Sequence, residues 1–221
     1  MKKIFLALLI SSATLPLSAQ AQDAAMDWTG FYAGVHAGYG WGDKDWITSG
    51  GGNPQSHSEN GILGGVQAGY NVQKDNFVFG VEGDFSFSGI DGGTSWTAGG
   101  RNAGPRNITA DINWIASIAA RAGVAMDSTL IYAKGGVAWA DEDYTHLSAD
   151  GPRWASETRN GWLIGAGVEH AYSNGWNLKI EYNYMDFGSG NVTFQHATMN
   201  DSILSLDQKV SVIKIGMNYR F

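Results

Sequence analysis

The residues of this chain with the most chemistry to offer are nine charges spaced through apolar, alternating runs. They are Glu82, Asp84, Arg121, Lys134, Glu169, Lys179, Glu181, Lys214 and Arg220, five positive and four negative in any order of pairing. Within each run they occupy the polar phase, as Glu82 and Asp84 do in FVFGVEGDFSF. Charges withdrawn from water are stable only when paired and hydrogen-bonded. Such a set either packs as a salt-bridged core or lines a narrow path for water and ions, and the near cancellation favours the core. The expected network is Glu82, Asp84, Arg121, Lys134, Glu169, Lys179, Glu181 and Lys214, with Arg220 a provisional ninth member.

Other chemistries are written more weakly. His36, His57, His146, His170 and His196 are candidate haem ligands, but they are scattered and show no paired ligand spacing. No cofactor is expected, with haem the remaining alternative. The run Asp141-Glu142-Asp143 lacks the staggered spacing of a calcium loop, so no metal is expected. A lipase-like or protease-like site needs Ser or Asp held against His at one rim. The nearby pairs, His57-Ser58 and His146 with Ser148, have no identifiable third member, and no enzyme activity is expected. Glycine pairs such as Gly64-Gly65 and Gly135-Gly136 are followed by no helix, so they mark curved or closely packed strands rather than phosphate loops.

The elements that position these residues have a period of two. In VSVIKIGMNYRF, Ile213, Ile215, Met217, Tyr219 and Phe221 share one face of a strand, and Lys214, Gly216, Asn218 and Arg220 share the other. The opposite facing would put Lys214 into the apolar medium outside, at about 2–4 kcal/mol near a bilayer midplane. Upstream, Val210 and Val212 fall on the polar face, so the register is firm only from Ile213. Seven earlier runs repeat the rhythm, beginning at Phe31, Ile62, Phe77, Ile112, Leu130, Trp162 and Trp176. Their polar phases include Asn113 and Ser117 in the fourth run.

Links between runs alternate long and short. The short ones are Gln73-Lys74-Asp75-Asn76, Asp127-Ser128 and Ser173-Asn174-Gly175, hairpin chemistry throughout. The long ones are 42–60, 88–110, 141–158 and 188–206, which together carry ten acidic against four basic residues. This pattern predicts an all-β, eight-stranded antiparallel up-and-down transmembrane β-barrel with short periplasmic turns and four long extracellular loops. Tyr39, Trp41, Trp114, Trp139, Trp162 and Trp176 sit near strand ends as an expected aromatic girdle. A soluble barrel would instead bury its aromatics and wet the Gly-, Asn- and Ser-rich faces, which suit a crowded interior better.

Residues 1–21 read as a signal peptide: two lysines, an apolar run too short to span a bilayer, and an Ala19-Gln20-Ala21 ending. Residues 22–30 are a short periplasmic lead-in and 31–221 the barrel. Cleavage removes Lys2 and Lys3, leaving 12 basic against 21 acidic residues, a net charge of −9. That balance argues against nucleic acid as a partner. The chain has no cysteine, so packing or a closed backbone ladder must hold it. The acidic loops suit divalent cations bridging to anionic lipopolysaccharide, and the expected partners are outer-membrane lipids and lipopolysaccharide.

The opening WTGFYAGVHAGYGWG, from Trp28 to Gly42, and the closing IGMNYRF, from Ile215 to Phe221, resemble the small outer-membrane barrel proteins of alphaproteobacteria, the Brucella immunogenic and rhizobial RopB types. The resemblance implies an OmpA-like barrel, insertion by the outer-membrane assembly machinery through Tyr219 and Phe221 of the terminal strand, and surface-exposed loops. Some such proteins bind haem, and many are called porins. The reading is therefore a structural and surface-interaction barrel, with a narrow passive channel and then haem binding as alternatives.

Overall fold

The computed structural model describes residues 26–48, 55–98, 104–148, 151–194 and 202–221. They form eight strands: β1 (Gly30–Thr48), β2 (Gln55–Lys74), β3 (Phe77–Ala98), β4 (Gly104–Met126), β5 (Thr129–Ser148), β6 (Gly151–Ala171), β7 (Trp176–Phe194) and β8 (Ser202–Arg220). Each pairs antiparallel with its chain neighbour, and β8 returns to β1 from Tyr32↔Arg220 to Thr48↔Leu204. Closure satisfies the edge that the terminal strand would otherwise expose. Residues 1–21, whose sequence reads as a signal peptide, lie outside the described residues.

Alternation decides the facing. Val35, Ile62, Val66, Phe79, Ile118, Ile164, Ile180 and Ile215 point outward and are exposed, while the charges between such residues are buried. An exposed apolar belt of this extent is unfavourable in water and favourable in a bilayer. The tight turns fall where the sequence places them, with positive φ at Asp75, Asp127 and Gly175. Asp and Gly tolerate that conformation better than most residues.

Three features differ from the sequence reading. The segments read as long loops are mostly strand, because β1 to β8 run 19 to 23 residues each. At about 3.3 Å rise and roughly 40° tilt, a 20-residue strand climbs about 50 Å, well beyond an apolar band of about 25 Å. Past the bilayer the outer face meets water and loses its apolar phase, yet pairs such as Asp43↔Ser58 and Thr145↔Trp154 continue the ladder. A polar strand in water therefore carries no alternating signature.

The second difference is Asn113, which faces outward. The register slips between Ile112 and Trp114, so both Asn113 and Trp114 lie on the outer side. Comparable slips occur at Phe87/Ile90 and Asp186/Ser189. Bulges of this kind bend strands and shift side chains from one face to the other.

The third is the layering of the interior. Above the ionic residues lies an apolar septum of Leu63, Ile90, Ile112, Ile115, Leu163, Met185, Phe187, Val210 and Val212. Val210 and Val212 break the polar phase of β8 because they belong to this septum. Below the ionic residues, Val78, Ala125, Leu130, Tyr132 and Ala171 close round Trp28 of the lead-in.

Candidate functional site

The interior charges converge on Glu82 and Glu181. Glu82 accepts from Lys134 at 2.9 Å, Lys179 at 3.2 Å and Arg121 at 3.3 Å, and from the Tyr32 hydroxyl at 2.8 Å. Glu181 accepts from the Tyr132 hydroxyl at 2.6 Å and Asn183 at 2.8 Å, and lies 2.8 Å from Lys134 and 3.4 Å from Lys179. Arg121 also reaches Glu169 at 2.9 Å, a carboxylate that Asn177 and Asn218 hold from the other side. Lys214 pairs with Asp84 at 2.8 Å. All eight network residues of the sequence reading are thus buried and brought together. Arg220 is not among them: at the barrel rim it donates to the carbonyl of Asp27. The remaining eight charges are four positive and four negative.

His36 lies beside Asp84. Its Nε2 is 2.8 Å from Ser86 Oγ, its Nδ1 2.9 Å from Gln67 Oε1 and 3.5 Å from Asp84 Oδ2. Ser86, His36 and Asp84 are a hydrolase-like trio of residue types that sequence spacing does not reveal, since they come from β1 and β3. Its geometry is not that of a working triad. Gln67 is the nearer partner of Nδ1, Lys214 holds the Asp84 charge, and Ser86 is only 1% exposed.

Above the septum a second polar layer is buried: Glu59, Glu142, Tyr144, Arg159 and Gln208. Gln208 bridges Glu59 at 3.1 Å and Arg159 at 3.5 Å, and Tyr144 donates to Glu142. Glu59 and Glu142 fall by sequence in the long acidic segments 42–60 and 141–158, whose charges are expected at the surface, but both are buried in this layer instead. Because faces alternate, Asp141-Glu142-Asp143 is split. Asn113 donates to Asp141 and Asp143 on the outer side while Glu142 turns inward, so the run cannot converge on one cation.

Residues 5–221 match the family model of the outer membrane protein beta-barrel domain. The chain belongs to this family. The 31 kDa outer-membrane immunogenic protein of Brucella melitensis is 32% identical over 227 residues, covering 96% of this chain and 90% of that protein. The 22 kDa outer membrane protein of Rhizobium leguminosarum bv. viciae is 29% identical over 197 residues, covering 89% and 80%. Among solved structures, the outer membrane protein OprG from Pseudomonas aeruginosa superposes with a TM-score of 0.54 at 15% identity over 87% of this chain and 96% of that one. At that identity the likeness is one of fold. This outer-membrane barrel therefore resides in the outer membrane of a Gram-negative bacterium.

On the membrane-facing side, Tyr39, Trp41, Trp162 and Trp176 are exposed, whereas Trp114 and Trp139 are half-buried. Trp41 lies 6.2 Å from Tyr182, Trp162 5.6 Å from Tyr184, and Trp114 stacks on Phe85 at 5.8 Å. Trp176 belongs to the other end, where it meets Tyr219 at 5.2 Å, which in turn meets Phe221 at 5.4 Å. Of the histidines, His36 faces inward and His170 outward, where it packs edge-on against Tyr172. His57 and His146 lie on β2 and β5, and His196 is outside the described residues.

Proposed function

We propose that this outer-membrane barrel is a closed structural element of the envelope, acting on its surroundings through its outer wall and surface-exposed segments. The observation that carries the reading is the order of layers inside it. An ion moving along the axis would meet Trp28 and its apolar collar, then four anions neutralised by four cations, then an apolar septum to which seven strands contribute. Apolar constrictions oppose wetting, and paired charges offer no free site to a passing ion. The burial of Ser86 supports a non-enzymatic role, since a nucleophile must reach its substrate. Immunogenicity in the Brucella relatives' names supports exposure at the cell surface.

The partners that follow are the lipids and lipopolysaccharide around the wall, and the outer-membrane assembly machinery acting on the aromatic end at Tyr219 and Phe221. The deciding experiment is single-channel recording of the refolded mature protein in a planar bilayer, beside a gel assay of heat-modifiable mobility. Heat-modifiable protein without conductance steps is the expected result. Reproducible steps would make the narrow passive channel the better reading.

A further inference from the structure

The short segment before β1 is folded into the barrel. Trp28 is 0% exposed, and its indole lies in a collar supplied by β3, β4, β5 and β6 through Val78, Ala125, Leu130 and Ala171. Its backbone N–H donates to Gln73 Oε1 at 2.8 Å, and the Gln73 N–H donates to Thr29 Oγ1 at 3.0 Å. From β8, the Arg220 guanidinium lies 5.4 Å from the indole centroid and donates to the Asp27 carbonyl at 2.5 Å. The indole Nε1 finds no acceptor among the described residues, so packing and the cation above the ring hold it in place.

We propose that residues 26–29 are a latch that locks the β1–β8 seam after it has closed, with Trp28 as its bolt and Arg220 as its catch. The site does not exist on an open sheet. Trp28 hangs from β1, its collar lies across the lumen, and its catch is carried by the last strand. These come together only when β8 lies beside β1, where Phe221 N–H donates to Phe31 O at 3.0 Å. An interaction made after the closing step is absent from the transition state for folding. Its loss speeds opening and leaves closing nearly unchanged. The inference is independent of whether the interior conducts.

The test uses the full mature chain refolded in detergent. Unfolding and refolding rates are followed by heat-modifiable mobility, and trimming of the amino terminus by a broad-specificity protease is read by intact mass. Trp28→Ala and Arg220→Gln should each raise the unfolding rate about tenfold or more and change refolding less than about twofold. The double variant should be little worse than Trp28→Ala alone, because the two act as one unit. Trp176→Ala, which removes an exposed ring from the same end, should not accelerate trimming, whereas Arg220→Gln should. Should Trp28→Ala not fold, Arg220→Gln decides the matter with the indole retained. An unchanged unfolding rate in Arg220→Gln, a refolding rate slowed by the same factor, or wild-type trimming as fast as the variant's would overturn the latch.

Discussion

Tyr32 and Tyr132 make the same joint on opposite walls of the barrel. Tyr32 on β1 is in register with Gly69 on β2, which is in register with Glu82 on β3. Tyr132 on β5 is in register with Gly167 on β6, which is in register with Glu181 on β7. In each case the ring lies across the glycine, where a Cβ would collide with its phenol end, and the hydroxyl donates to the glutamate one strand farther on. Arg121 joins the two, 5.3 Å from the Tyr32 ring centroid and 4.1 Å from that of Tyr132. The barrel thus has two equivalent lateral braces, each spanning three strands.

The braces make a position-specific forecast for glycine. Gly69→Ala or Gly167→Ala must push a buried ring aside and should destabilise the barrel by about 1–3 kcal/mol, the usual effect of overpacking. Gly83→Ala is the control, since an added Cβ there meets nothing nearer than 4.0 Å, and it should be close to neutral. Urea unfolding in detergent, followed by tryptophan fluorescence, checks the contrast.

Lys134 stands between Glu82 and Glu181, 2.9 and 2.8 Å away. Lys134→Ala leaves two buried carboxylates short of a cation, and breaking a buried pair from one side typically destabilises by about 3–5 kcal/mol. The heat-modifiable transition should move to clearly lower temperature. Pairing the change with Glu181→Gln should recover part of the loss, because an excess charge is removed with its partner. An unshifted transition in Lys134→Ala would argue that the ion pairs do not support the fold.

Outward substitutions should report where the bilayer ends. Ile164 and Ser156 share the outer phase of β6, but Ile164 lies in the apolar belt and Ser156 pairs with Asp143 well above it. Ile164→Arg should destabilise by about 2–4 kcal/mol, as a cation facing hydrocarbon does. Ser156→Arg should fall within about 0.5 kcal/mol of wild type, as exposed surface changes do. Equal effects at the two sites would contradict a strand that continues into water.

What was legible in the sequence follows from which solvent each residue meets. Lipid imposes an apolar outer phase, so the strands, their order, the tight turns and the inward charges from Glu82 to Lys214 could all be read as alternation. Three things could not. Where strands such as β2 and β5 rise out of the bilayer, both faces are polar and the period disappears, so strand reads as loop and Glu59 on β2 and Glu142 on β5 read as solvated. A one-residue slip at Asn113 reverses facing without any change of composition. The joints of Tyr32 with Glu82 and of His36 with Ser86 span strands far apart in sequence, and only the register brings them together. Val210 and Val212 did carry a signal, an apolar pair on the polar phase, and it marked the septum.

The latch has an acid limit. The Thr29 hydroxyl and backbone N–H hold the Asp27 carboxyl below its usual range, with Arg220 adding a smaller pull in the same direction. Because the folded-state value is depressed, the stabilisation is fully present above the unfolded value, about 3.9, and fades as pH falls through the folded one. The carboxylate accepts the Thr29 N–H at 2.8 Å and so fixes the turn that delivers Trp28. Asp27→Asn should therefore unfold faster than wild type at neutral pH, and the difference between the two should begin to shrink only below about pH 3.9 and vanish once the pH has passed below the depressed folded-state value, where both side chains are neutral. Heat-induced unfolding rates of the two proteins, followed from neutral pH downward, make the measurement. A difference that persisted unchanged into acid would mean that Asp27 acts through its shape rather than its charge.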